Sequence, residues 1–171
     1  MKILGIIGGM SPESTATYYT EINRLVNQKK GGNISAPIVM VSVEFEEIVQ
    51  CQKQSEWQRA GEILAEAGKK LEMIGAEGIV LATNTMHKVA PQIERALSIP
   101  FLHILDATAD AIKSRGLNKV ALLGTKFTMS DNFYRDGLIV RGITPIVPNE
   151  SAQNEIHRII FDELCVGKFL P

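Results

Sequence analysis

Thr83, Asn84, Thr85, Met86 and His87 follow directly on the apolar run Gly78-Ile79-Val80-Leu81-Ala82. That run has the length and composition of a buried parallel strand. Polar residues at the carboxyl end of such a strand stand where open α/β sheets hold their ligands. Asn84 and Thr85 have the donors to hydrogen-bond a substrate carboxylate, and Thr85 serves equally well as a helix cap. A lone histidine is more often structural than reactive, and His87, further along, falls outside the immediate loop. A second candidate is Gly8-Gly9-Met10-Ser11-Pro12-Glu13-Ser14-Thr15, where glycines permit a sharp turn and the amides of a helix start favour an anion. The spacing matches neither G-x-G-x-x-G nor a Walker-type Gly-Lys-Ser/Thr, which disfavours dinucleotides and nucleoside triphosphates. A carboxylate or phosphate ligand and a routine strand-to-helix turn both remain open. Gly124-Thr125-Lys126-Phe127-Thr128 is a third loop of similar make-up, and Gln52 stands either at a cleft or at a solvated helix end.

Other chemistries are disfavoured. His87, His103 and His157 lack metal-ligand spacing, and no C-x-x-C accompanies them. No G-x-S-x-G elbow is present. The two cysteines, Cys51 and Cys165, suit neither a disulfide framework nor a zinc site, and Cys51 reads as a small buried thiol. Net charge is −1 with the signs interspersed, so nucleic-acid binding is not expected. No apolar run approaches the roughly 18 residues of a membrane span, and cytoplasmic residence is expected.

The elements that must position these loops alternate. Ile3–Ile7 is a first strand; Pro12–Asn27 a helix capped by Ser11; Ala36–Val43 a second strand. A helix-prone stretch from Glu44 to Ile74 breaks near Gln54-Ser55; Ile63, Leu64, Ala67, Leu71 and Ile74 fall near one face of it, and Gly75 ends it. Gly78–Ala82 is the third strand, Val89–Ala96 a helix, Pro100–Ile104 a short strand and Ala107–Ser114 a helix. Asn118–Thr125 then repeats the opening pattern of a basic residue, an apolar run and a glycine turn, with strand Thr144–Val147 and helix Ala152–Cys165 after it. The expectation is an α/β fold of two pseudo-symmetric, doubly wound parallel-sheet domains, residues 1–116 and 117–171, the second incomplete. Two such units packed face to face would bring the three loops to one cleft. Two parallel strands cannot bury both faces of a sheet, so the second unit reads as unfinished, either in a shortened chain or in one completed by further contacts.

Gly8-Gly9-Met10-Ser11-x-Glu13-Ser14-Thr15, Asn84-Thr85-Met86-His87-Lys88 and Ala121-Leu122-Leu123-Gly124-Thr125, in this order, resemble the motifs of the aspartate/glutamate racemase family. Thr83 and the ending Glu163-Leu164-Cys165-x-Gly167 are most similar to the L-aspartate/glutamate-specific subgroup. The resemblance implies a site between two domains, a small dicarboxylic amino acid as substrate, no pyridoxal phosphate, no metal, no other cofactor, and a homodimer. It implies Thr83 as a catalytic residue, with Met10, Ser11, Gln52, Asn84, Thr85 and Thr125 binding substrate. Family members use one proton-transfer group per domain, on opposite faces of the α-carbon, usually two cysteines. Here position 83 is threonine, a far poorer base than a thiol whose pKa of about 8.5 can be lowered. The family's second cysteine, in a Gly-Cys-Thr-Glu type loop, would fall beyond residue 171, and Cys165 is not a substitute. Racemisation by these 171 residues is therefore expected to be weak or nil. The alternative is a dicarboxylate-binding protein without chemistry. Maleate isomerases and hydantoin racemases rank lower, because they typically carry cysteine at the place of Thr83.

Overall fold

The computed structural model describes residues 1–170, which divide into two compact units, Met1–Leu102 and a second starting at His103. The first unit runs β1 (Leu4–Gly8), α1 (Pro12–Lys30), β2 (Ile38–Ser42), α2 (Phe45–Lys53), α3 (Trp57–Met73), β3 (Gly78–Leu81), a 3-10 turn (Thr85–Val89), α4 (Ala90–Arg95) and β4 (Phe101–Leu102). The strands form one parallel sheet in the order β2-β1-β3-β4. Ile7 lies opposite Val41 and Leu81 in register. Central parallel strands are covered on both faces, which is why β1 and β3 read as apolar runs punctuated only by glycine. Ile7, Ile79 and Leu81 pack with Leu64, Ala67 and Leu71 of α3 and Ile93 of α4. Burying each large aliphatic side chain there stabilises the unit by roughly 1.5–3 kcal/mol.

The chain leaves β1 toward β2 on one side and returns to β3 on the other. The order of strands therefore reverses between β1 and β3, and the crevice outside their carboxyl ends is the place where such sheets bind ligands. The loops that follow these two strands are Gly9–Ser11 and Ala82–Asn84.

The second unit holds α5 (Ile104–Ser114), β5 (Lys119–Ala121), α6 (Lys126–Ser130), α7 (Asn132–Ile139), β6 (Thr144–Ile146), α8 (Glu150–Asp162) and a 3-10 turn (Leu164–Val166). β5 and β6 pair in parallel. Its core joins Leu105 and Ala109 of α5 to Leu122, Tyr134, Leu138 and Ile143. The pseudo-repeat is visible in detail. Ser11 caps α1 by accepting the Ser14 N–H, and Thr125 caps α6 by accepting the Thr128 N–H. In each unit a buried threonine, Thr15 or Thr128, packs so closely under the turn glycine, Gly8 or Gly124, that a Cβ there would press on it.

Several expected boundaries shift. The division between units precedes α5 and does not fall at Gly116-Leu117, because Leu105 and Ala109 pack into the second core and Arg141 on α7 pairs with Asp106 at 2.6 Å. α5 starts at Ile104, three residues before the expected Ala107 and inside the expected fourth strand, because the His103 ring Nδ1 accepts the Leu105 N–H at 3.1 Å and caps it. Ile74 lies outside the packed face of α3; it is the C-cap residue, exposed where Gly75 turns the chain at φ +96°. α8 ends at Asp162, so Cys165 belongs to the following 3-10 turn. No helix among the described residues is long and apolar enough to cross a membrane.

Candidate functional site

The first loop is laced by one hydroxyl. Thr15 Oγ1 accepts the Gly9 N–H at 2.8 Å and donates to the Ser11 carbonyl at 2.9 Å, so a helix residue fixes the turn that precedes its own helix. The Gly8 carbonyl accepts the Val43 N–H at 3.0 Å, bringing the chain after β2 against the turn. Gly9 has φ +96°, and a Cβ there would overlap the Val43 carbonyl oxygen, so only glycine fits. The Met10-Ser11 peptide is cis. Met10 itself packs into the core beside Ile48, Cys51 and Met86, so its side chain faces the interior and residue 10 presents only backbone to a ligand. Ser11 is buried at the start of α1 and takes the Ser14 and Thr15 N–H groups; Pro12 has no N–H, so the Glu13 amide and the helix dipole are what favour an anion there.

The second loop is tied to the first. Ser14 Oγ shares its proton between the Ser11 carbonyl at 3.0 Å and the Ala82 carbonyl at 3.1 Å, joining the first turn of α1 to the end of β3. The Ala82 N–H donates to Ile7. Thr83 is half-buried and Asn84 exposed, while Thr85, Met86 and His87 are buried in the 3-10 turn. Asn84, not Thr85, is the cap residue of that turn, and its side chain makes no capping bond. His87 Nδ1 lies 2.7 Å from the Thr83 carbonyl.

Gln52 is not a solvated helix end. It lies in the last turn of α2, only 5% exposed, with its Nε2 donating to the Met86 sulfur at 3.0 Å. Its Oε1 is buried and meets no donor among the described residues. A buried amide oxygen without a partner costs about 1–3 kcal/mol, so one that persists marks a place where a donor is wanted. Cys51 beside it is buried in the core, and burial pushes its thiol up, with the Arg59 charge opposing. The protonated thiol is favoured, which removes Cys51 as a proton acceptor.

Thr125 occupies the corresponding mouth of the second sheet, at the start of α6 after β5. Two groups of α8 hold this turn. His157 Nδ1 accepts the Lys126 N–H at 3.1 Å, and Asn154 Oδ1 accepts from Lys126 Nζ at 2.9 Å. Acting as acceptor requires a neutral imidazole, and burial followed by the Lys126 charge lowers the His157 pKa, against an opposing pull from Asp162. A histidine whose folded pKa is lowered contributes stability that is present above its unfolded value near 6.5 and is lost as pH falls through that value toward the folded one. His157→Asn retains an acceptor oxygen that does not titrate. Melting curves of this variant are expected to depend less on pH than the wild type from neutrality down through that window; identical pH dependence would show that His157 makes no such contribution.

The six sequence-predicted residues of the first unit, Met10, Ser11, Gln52, Thr83, Asn84 and Thr85, thus gather around the carboxyl ends of β1, β2 and β3. Thr125 is found at the equivalent position of its own unit. Sequence reading missed Thr15 and Ser14 as the residues that lace the loops; their signal is a hydroxyl three or four residues after a cap, in reach of the cap carbonyl. Among the described residues no group of three or more His, Cys, Asp or Glu side chains is arranged to hold a metal. The second unit also has a groove of about 390 Å³ lined by Thr108, Ile112, Arg115, Leu117 and Val120, and none of the loop residues line it.

Comparison with known proteins follows the same lines. Residues 7–168 match the family described as Asp/Glu/Hydantoin racemase. A broad-specificity amino-acid racemase of Bacillus subtilis (strain 168) is 25% identical over 160 residues, which is 92% of this chain and 69% of that protein. A Yersinia pestis protein assigned as an Asp/Glu racemase is 50% identical, with a TM-score of 0.90 over 99% of this chain and 74% of its own. An aspartate racemase homologue of Pyrococcus horikoshii OT3 is 40% identical, with a TM-score of 0.82 over 98% of this chain and 74% of its own. An aspartate racemase of Picrophilus torridus is 25% identical, with a TM-score of 0.75 over 95% and 70%.

Proposed function

The chain belongs to the Asp/Glu/hydantoin racemase family, as an enzyme of the Asp/Glu type, and from that membership we propose that its substrate is aspartate or glutamate and its chemistry a two-base proton transfer at the α-carbon. The observation that carries this reading is the pair of loops flanking the β1/β3 reversal, joined by the Ser14–Ala82 hydrogen bond. A substrate carboxylate takes the Glu13 N–H in the first turn of α1 and the side chains of Ser11, Asn84 and Thr85. Removing a proton beside a carboxylate builds up negative charge, and fixed donors lower that barrier without reorganising. Gln52 Oε1 is the acceptor for the ammonium group of the amino acid. Thr83 stands at one face of the α-carbon; its hydroxyl delivers a proton far more readily than it removes one.

Inversion needs a second group on the opposite face. Cys51 is sequestered in the core and Cys165 sits in a 3-10 turn after α8, so neither thiol follows a strand at a sheet mouth. The 171-residue polypeptide is expected to bind dicarboxylic amino acids and to racemise them very weakly. Incubation with each aspartate enantiomer in deuterium oxide, followed by chiral separation and mass analysis, tests this; rapid interconversion would contradict the assignment of the second group. The alternative, a dicarboxylate-binding protein without catalysis, is favoured by the absence of a second catalytic cysteine among these residues and corresponds to binding with no α-deuterium in either enantiomer.

Gln52→Leu separates ligand binding from folding. Loss of a hydrogen bond to a charged group, about 1.5–3 kcal/mol, is expected to weaken aspartate binding roughly 10- to 150-fold in calorimetry, while removal of the unpartnered oxygen offsets loss of the Nε2–Met86 bond and leaves stability within about 1 kcal/mol of the wild type. Unchanged affinity would exclude Gln52 from the site.

A further inference from the structure

We propose that His87 is a positioning residue that sets the direction of Thr83 through the backbone, an inference that rests on the racemase reading for its catalytic consequence. His87 is 2% exposed, and its ring lies beside Phe101 with centroids 5.7 Å apart. Its Nδ1 is 2.7 Å from the Thr83 carbonyl oxygen. A carbonyl only accepts, so Nδ1 carries the proton and donates. The Thr83 N–H in turn donates to the Leu81 carbonyl at 2.9 Å, and the His87 N–H to the Asn84 carbonyl at 3.0 Å. Both backbone polar groups of Thr83 are therefore held, one by the strand before it and one by the imidazole after it. The 3-10 turn Thr85–Val89 is what brings residue 87 back over residue 83.

Packing alone does not call for an imidazole at this place. A leucine or phenylalanine would fill the volume without the cost of burying a polar ring, and that cost is offset here by the bond to Thr83. With the backbone pinned on both sides, the Cα–Cβ direction of Thr83 is set, and its half-buried side chain stands at the mouth of the sheet. Proton transfer requires reacting atoms within about 3–3.5 Å, and a misplacement of about 1 Å costs about 100-fold. His87 touches no reacting atom; it acts by removing that error.

The asparagine and glutamine variants discriminate this role from bulk polarity. The amide nitrogen of asparagine lies the same number of bonds from Cα as His Nδ1, whereas that of glutamine lies one bond further, at the place of Nε2. Three readouts are needed: the Thr83 γ-methyl resonance in threonine-methyl-labelled protein, α-deuterium incorporation into each aspartate enantiomer, and the melting temperature. His87→Asn is expected to keep the Thr83 methyl at its wild-type position and to retain exchange. His87→Gln is expected to move the methyl and, combined with Thr83→Cys, to lower about 100-fold the exchange which that thiol gives the enantiomer whose α-hydrogen faces it, with the other enantiomer within about twofold. His87→Phe, which fills the ring volume, is expected to behave as the glutamine variant does while melting near the wild type. An unmoved methyl in the glutamine and phenylalanine variants, or equal shifts in the asparagine and glutamine variants, would overturn the proposal. If no form exchanges either enantiomer, the racemase reading fails on its own, and the methyl positions still decide the role of His87.

Discussion

Thr83→Cys is expected to raise α-deuterium incorporation into one aspartate enantiomer by about 100-fold or more, the scale of a well-placed general base. A thiol reaches its thiolate near neutral pH when donors lie close by, and the first turn of α1 and the Asn84 amide are such donors. A threonine hydroxyl does not ionise in this range, so the wild type lacks a base on that face. Only the enantiomer whose α-hydrogen points at residue 83 gains, because the opposite hydrogen is out of reach; the other enantiomer serves as the internal control. The substitution exchanges a half-buried side chain for one of similar size and is not expected to disturb the fold. Equal gains for both enantiomers would mean that residue 83 does not stand on one face of the substrate. No gain in either would mean that it does not approach the α-carbon.

Gly9→Ala is expected to have the largest effect on stability. The residue sits at φ +96°, which costs an L-residue about 1–2 kcal/mol, and its new Cβ would overlap the Val43 carbonyl oxygen. That oxygen belongs to the backbone segment tied to Gly8 by the Val43 N–H, so it yields only if the loop after β2 moves. A total loss on the order of 3 kcal/mol follows, equivalent to a fall of roughly 6–12 °C in the melting of a chain this size. Ligand affinity falls with it, because the Gly9 N–H and Thr15 hydroxyl that shape the turn are displaced together. An alanine variant that melts with the wild type would show that the turn relaxes freely.

How much of this is legible in the sequence depends on whether a residue's role is local. β1 and β3 announce themselves, because strands covered on both faces have no polar side to show. Ser11-Pro12 announces the start of α1, because cap and first-turn chemistry act within a few residues. The polar loop after β3 was readable for the same reason. Gln52 was named as a site residue, but its burial was not foreseen; Cys51-Gln52-Lys53-Gln54 reads as a polar helix end, and only Met86, far along the chain, reveals that one of these amides points inward. The allegiance of α5 was misplaced because an amphipathic helix records that it has an apolar face, not which core that face meets. His103 escaped notice as a cap since serine, threonine, aspartate and asparagine are the usual choices, although an imidazole nitrogen accepts an N–H as well. The Thr83–His87 bond was missed because a buried histidine has many routine explanations and the turn that doubles it back was not anticipated.

The central claim is that the mouth of the first sheet, at the reversal between β1 and β3, grips a dicarboxylic amino acid. Titrating L-aspartate and L-glutamate into isotopically labelled protein and following the backbone amides tests it most directly. The account predicts saturable shifts concentrated at Gly9, Ser11, Ser14 and Thr83 through Thr85, with the Gln52 side-chain amide moving in step. Saturable shifts confined to other parts of the chain, or no shifts at concentrations where racemases bind their substrates, would contradict it.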